Sequence, residues 1–268
     1  MFDAHCHLQL PAFDADRAQV LSRAQAAGVE RFCSCAVGPD DWQATLDLAL
    51  SDRGVVLAGI GIHPFALAGW PEREDAAVLQ QLEALLGAPQ APVAIVGECG
   101  LDARFVEAIP LSRQRALLDA QLALAQTYRL PIVLHCVRAQ DPLLDLLQSF
   151  PDIRGLLFHA FGGSLEQARA LLRWDAAFSF GGSLTLPSKK RRALVRGLPA
   201  DRILVETDAP NGPPIRGQDS ASNATAAQRI DPASLPAIVA TLAAVREESA
   251  ELWAERSTRN AQAFFGTM

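Results

Sequence analysis

This 268-residue chain lacks several things that would place it quickly. No apolar stretch approaches the ~20 residues a membrane-spanning helix needs. Its opening, "MFDAHCHL", has neither a basic region nor an apolar segment behind it, so no signal peptide is expected. There is no CxxC pair. The five cysteines (Cys6, Cys33, Cys35, Cys99, Cys136) are odd in number and fall mostly in apolar runs, which reads as packing thiols in a reducing, cytoplasmic setting. No strand-like run is followed by GxGxxG, so a dinucleotide crevice has no support. An excess of basic charge is missing too: 24 Lys and Arg face 30 Asp and Glu, a formal charge of −6. That argues against broad electrostatic binding of nucleic acid. It leaves room for an enzyme acting on nucleic acid through bound metal, because the metal puts positive charge where phosphate must sit.

What the chain does have is a recurring pattern. Eight short apolar runs end in polar or glycine-rich tips: "MFDAHCHL", "VERFCSCAV", "VVLAGIGIHP", "VAIVGECGLD", "PIVLHCV", "IRGLLFHAF", "AAFSFGGSL" and "RILVETDAP". Between them lie segments of helical period: 14–27, 40–50, 72–86, 111–128, 142–150, 165–174 and 188–197. The tail reads as two more, 232–247 and 250–264. Strand alternating with helix implies a parallel sheet covered by helices, and near-continuous apolar strands imply burial on both faces. Eight units in one chain of this length predict a single (β/α)8 TIM barrel over 1–268 with one or two extra C-terminal helices. An open doubly wound sheet is the alternative. A polar loop, 211–229, follows the eighth strand and reads as a binding loop or lid.

All five histidines (His5, His7, His63, His135, His159) fall at strand tips, as do Glu98 and Asp208. In a parallel barrel every strand tip opens on the same face, so these side chains converge. In "HCH", His5 and His7 are two apart and point the same way, about 7 Å from each other along the strand. A buried carboxylate such as Glu98 needs a cation or a dense set of donors. The proposed arrangement puts His5, His7 and Asp208 on one divalent ion, His135 and His159 on a second, and Glu98 between them. Nitrogen and oxygen donors suit Zn, Mn or Mg without choosing among them. A set of mouth residues satisfied by one another and by water is the competing reading.

The ordered set "DAHCHL", "GIHP", "GECGLD", "LHC", "FHAFGGS" and "ETDAP" resembles the TatD family of metal-dependent hydrolases and deoxyribonucleases, from residue 3 to Phe265. The resemblance implies an amidohydrolase-type barrel and a divalent-metal site. It also implies cleavage of phosphodiesters in DNA, in several members from the 3′ end. The family's metal ligands fall on the same six residues. Relatives that bridge their metals with a carboxylated lysine differ at the position of Glu98, which favours the nuclease-like branch. The chain departs from the pattern in places. Ala103-Arg104 stand where an aromatic is usual, and Val137 stands where an arginine is usual, with Arg138 one step later. Gln140 replaces a histidine. Arg216-Gly217 are kept, as is Asn223 in the 211–229 loop.

Asp208 is expected to act as general base while ligating metal, and Glu98 to serve catalysis as the bridge. His63 and Arg138 are candidate substrate contacts, though His63 could merely cap its loop and Arg138 start a helix. Glu206 and Asp102 are candidate partners of the ligating histidines. The basic run 188–196, "SKKRRALVR", is either a phosphate track or a solvated helix end. A lactone, cyclic amide or small phosphoester hydrolase on the same metals is the second reading, and a non-catalytic metal-binding scaffold the third. The oligomeric state is open, with a monomer compatible.

Overall fold

A computed structural model describes residues 1–89, 91–213, 215 and 229–266. Arg216, Gly217 and Asn223, and most of the 211–229 loop, lie outside the described residues. Eight strands form one parallel sheet in chain order: β1 (Phe2–Cys6), β2 (Arg31–Cys35), β3 (Val56–Ile60), β4 (Val93–Asp102), β5 (Ile132–Val137), β6 (Leu156–Phe158), β7 (Ala177–Phe180) and β8 (Ile203–Val205). A helix follows each in turn: α1 (Arg17–Ala26), α2 (Pro39–Ser51), α3 (Asp75–Leu86), α4 (Leu111–Tyr128), α5 (Gln140–Leu147), α6 (Leu165–Leu171), α7 (Lys189–Gly197) and α8 (Leu235–Arg246). The last, α9 (Ala250–Phe265), is the one extra helix among the described residues.

The sheet comes round to close on itself. Asp208 N donates to His5 O at 3.0 Å and His7 N to Ala209 O at 2.7 Å. Below them the buried carboxylate of Asp3 accepts from Thr207 N at 2.9 Å. The protein is a (β/α)8 barrel.

Each strand contributes to an inner cluster: Phe2 and Ala4, Cys33 and Cys35, Leu57, Ile95, Val133, Leu157, Ala177 and Leu204. Phe264 and Phe265 of α9 pack on that cluster, and the Phe265 ring stacks on Phe2 with centroids 5.1 Å apart. The larger cluster, including Cys6, Val96, Cys99 and the apolar faces of the helices, lies between barrel and helices.

Two breaks in register aim the chemistry. From Ala4 and Ile95, both inward, strict alternation would send His5 and Glu98 outward. The β1–β2 register shifts between Asp3 and Cys6, and the β4–β5 register shifts between Val96 and Cys99. A bulge of this kind reverses the parity of the residues beyond it. Cys6 and Cys99 therefore go to the outer cluster. Gly97 carries the β4 irregularity at φ +141°, a backbone that only glycine adopts readily. Gly61 faces it, and a Cβ there would lie 2.7 Å from Gly97 Cα.

Candidate active site

The C-terminal ends of the strands surround a cavity of about 230 Å³, lined among others by His7, His63, Glu98, His135, His159 and Asp208. A larger groove of about 720 Å³ lies between α1 and α2, but among the described residues no histidine lines it and no group of candidate metal ligands falls there. The site therefore belongs to the strand tips.

Glu98 stands at the centre, 2 % exposed. Its two oxygens divide the histidines. Oε2 lies 3.3 Å from His5 Nε2 and 3.5 Å from His7 Nε2. Oε1 lies 2.8 Å from His135 Nδ1 and 2.8 Å from His159 Nε2, two nitrogens that are themselves 3.1 Å apart. Asp208 completes the first group, its Oδ1 3.7 Å from His5 Nε2 and 3.4 Å from His7 Nε2. Asp208 holds a left-handed backbone, φ +56°, a conformation that aspartate tolerates better than most side chains.

The far nitrogens of the histidines are held from behind. His7 Nδ1 donates to Cys35 O at 2.6 Å, leaving a lone pair on Nε2. His135 Nε2 lies 2.9 Å from Asp102 Oδ2, leaving a lone pair on Nδ1. His159 Nδ1 faces Glu206 Oε1 at 3.6 Å. Glu206 is itself held by the Ser179 hydroxyl and by Ala160 N, at 2.8 Å. Asp102 also takes Arg104, whose N and Nε both donate to its carboxylate.

The pocket calls for positive charge. Burial pushes the Glu98 carboxyl up, but the histidines around it, His159 foremost, more than reverse this and hold it well below its usual range. Burial and the His159 charge push His5 down, and Glu98 foremost outweighs them, raising it to about 9. Burial opposes the His159 imidazolium too, yet Glu98 and Glu206 hold its pKa well above the usual value. Buried His5 Nδ1, His5 Nε2 and His159 Nδ1 have no hydrogen-bond partner among the described residues. Orphaned nitrogens and lone pairs converging on one carboxylate fit divalent cations. Two groups of donors meet at His5, one with Glu98 and His159 and one with His7 and Asp208. The thiols stay out of this chemistry: the Cys33 thiol and burial hold Cys35 well above its usual pKa.

His63 stands apart in its protonation. Its Nδ1 accepts from Phe65 N at 2.9 Å, so the proton of the neutral ring sits on Nε2. Nε2 points at Glu98 Oε1, 3.5 Å away. Burial, only partly offset by Glu98, lowers its pKa to about 3, so the ring stays neutral. His63 thus caps its loop and presents a donor to the cavity. It also forms a third group with Glu98 and His135.

Other sequence candidates lie away from the centre. Arg138 is exposed at φ +53°, ahead of α5, and does not line the cavity. None of the run 188–196 does either: its residues form the start and body of α7, with Arg191 donating to Ser183 O at 2.7 Å. The aromatic expected soon after Gly100-Leu101-Asp102 is present one step past Ala103-Arg104, as Phe105, which lines the cavity beside Phe65.

Sequence reasoning missed two glutamines. On the buried face of α4, Gln121 accepts from Ile62 N at 2.7 Å and donates to Ile62 O at 3.3 Å, fixing the tip that carries His63. Gln114, seven residues earlier, holds Asp102 in the same way. The signal was there: two amides among Leu117, Leu118, Leu122 and Ala125 on a helix face that is otherwise apolar. A buried amide on such a face must find backbone partners.

The sequence profile described as TatD related DNase matches residues 2–266. The chain belongs to the TatD related DNase family. It is 33 % identical over 264 residues to the "Uncharacterized metal-dependent hydrolase YjjV" of Escherichia coli, covering 98 % of this chain and 96 % of that protein. It is 33 % identical over 269 residues to the "3'-5' ssDNA/RNA exonuclease TatD" of Pantoea vagans, covering 99 % of each. The crystal structure of YjjV superposes with a TM-score of 0.86 at 32 % identity, covering 99 % of this chain and 97 % of that one. Within this TatD-family barrel the Glu98 cluster is the candidate metal centre.

Proposed function

We infer that the protein is a divalent-metal-dependent phosphodiesterase that shortens single-stranded DNA or RNA from the 3′ end. The observation that carries this is the division of ligands by Glu98: Oε2 serves His5 and His7, and Oε1 serves His135 and His159. A relative of equal length named for exonuclease action on single-stranded DNA and RNA supports the substrate class. His5, His7 and Asp208 would hold one ion, His135 and His159 a second, with Glu98 shared. Divalent ions there supply Lewis acidity to the phosphoryl group and lower the pKa of water.

The chain's own groups do the rest. Its histidines, led by His7, offset the effect of burial and hold the Asp208 carboxyl below its usual pKa. It is therefore ionised at neutral pH and accepts the proton of the attacking water. His63 Nε2–H donates to a phosphate oxygen, a role its neutral tautomer allows. Asp102 and Glu206 keep His135 and His159 turned inward. The five free thiols and the lack, among the described residues, of any helix long and apolar enough to cross a membrane suit a cytoplasmic enzyme.

The test is to load the protein with Zn, Mn or Mg and give it 5′-labelled single-stranded DNA and RNA. A ladder shortening from the 3′ end, abolished by chelator, supports the reading. Turnover of lactones or cyclic amides alone overturns it.

A further inference from the structure

Phe65 is the most exposed large apolar side chain among the described residues, at 58 %, and it lines the cavity that holds Glu98. Exposed aromatic surface on a soluble protein is informative where it borders a site. The Phe65 ring rests against Phe105, with centroids 5.6 Å apart and planes at 57°. Phe105 is only half-buried and carries the Arg104 guanidinium 5.5 Å from its centroid.

This edge is built rather than loose. Phe65 N is tied to His63 Nδ1. The turn that follows is fastened by Arg113, which donates to Leu67 O and to Trp70 O, each at 3.0 Å, and grips Asp75 with two nitrogens. Trp70 Nε1 also donates to Asp75, at 2.7 Å. Arg104 is held by the Asp102 carboxylate, itself against His135. Phe65 is thus tied to His63, which faces Glu98, and Arg104 to Asp102, which backs His135.

Size decides what can lie there. A cavity of about 230 Å³ admits a phosphate and part of a sugar, below the ~300–1,000 Å³ of pockets that engulf a drug-sized ligand. A nucleotide whose phosphodiester reaches Glu98 must leave its base at the mouth, where Phe65 stands. Every base has a flat face that stacks on an aromatic ring, whatever its sequence. In a duplex the terminal base is held by its edge to the partner strand and cannot turn to the ring without breaking that pair, so an unpaired end uses it more readily.

We propose that Phe65, backed by Phe105 and Arg104, is the stacking platform for the unpaired terminal base of a single-stranded DNA or RNA end. It makes the enzyme select single strands by the base's flat face and not by its edges. The proposal rests on the nuclease reading above.

The experiment measures kcat and KM of the metal-loaded enzyme on two 5′-labelled oligonucleotides. One has a normal 3′-terminal base, and the other an abasic tetrahydrofuran residue at that end. For Phe65→Ala the expected result is a KM raised roughly tenfold on the normal strand, with kcat within about twofold. On the abasic strand the variant and the natural protein should match, and Phe65→Trp should restore the natural KM on the normal strand. Equal KM values for Phe65→Ala and the natural protein on the normal strand would overturn the proposal and leave the nuclease reading standing. So would an equal loss on both strands. Failure of the natural protein to cut either strand would sink the nuclease reading, and the platform with it.

Discussion

Gln114 brackets the backbone of Asp102: its Oε1 accepts from Asp102 N at 2.8 Å and its Nε2 donates to Asp102 O at 3.1 Å. The same amide nitrogen reaches Ile109 O at 3.0 Å. One buried side chain therefore sets both the strand end and the loop beyond it. Gln114→Leu leaves these buried groups unpaired, which costs about 1–3 kcal/mol for each group not rescued by water. We predict a loss of about 2–4 kcal/mol of stability in urea unfolding, with reduced turnover in the fraction that stays folded. An unchanged midpoint would remove Gln114 from its place behind Asp102.

Asp208 is predicted to matter for reaction and not for folding. Its side chain borders the cavity, while its backbone N–H and carbonyl make the structural bonds, to His5 O and from Asn211 and Gly212. Asp208→Asn keeps the shape and tolerates the left-handed backbone. Turnover should fall by about 10²–10⁴-fold with the circular dichroism spectrum and thermal midpoint held. A fully active variant refutes the proton-acceptor role.

Asp102 should tune metal affinity through His135. Removing a carboxylate behind a ligating histidine typically weakens binding by about 10–100-fold. Because metal binds the folded state, that loss appears as a smaller rise in thermal midpoint across a zinc or manganese titration. Asp102→Ala should need tenfold or more additional metal for the same rise, and Asp102→Asn less. Glu98→Gln should lose most of the rise.

Acid should undo one link between the start of α1 and the segment leading into α8. Arg229 grips Asp16 with two nitrogens, each at 2.7 Å. Hydrogen bonding by Arg229 lowers the Asp16 pKa from its ordinary 3.8 to about 2. A carboxyl depressed in the folded state stabilises above its unfolded pKa, and that contribution disappears as pH falls through the folded value. The stability gap between the natural protein and Arg229→Gln should be constant at pH 5–7, shrink from about pH 4 and close near pH 2. Asp16 is at the surface, so the gap should be small and narrow further in salt. A gap that widens in acid contradicts the assignment.

The barrel was legible because each strand is apolar on both faces and each helix is not. The gathering at the mouth was legible because the five histidines sit at strand tips and topology does the rest. Less could be read where backbone geometry intervenes. Counting by twos from Ile95 would have turned Glu98 outward; the register shift that turns it inward leaves only Gly97 as its trace. The proton position on His63 depends on Phe65 N, a bond that exists only once the turn has formed. Arg138 reads as a phosphate contact from its place after His135, and in the structure it is exposed, with a left-handed backbone, and is not among the residues that line the cavity. Phe105 was passed over because the usual aromatic position holds alanine, and the short helical turn Ala103–Phe105 brings the ring round.

The stack of Phe265 on Phe2 joins α9 to β1, and the bond from Asp208 to His5 closes the seam a little above it. A chain emerging from the ribosome carries seven finished strands with an open seam until β8 follows, and a barrel floor without its cover until α9 has formed. Contacts so distant in sequence form late and slowly, and the open edges of β1 and β7 are exposed to neighbouring nascent chains meanwhile. A stop codon ahead of Ala261 would deprive the floor of its cover, and the product should meet chaperones or aggregates before it ever meets metal.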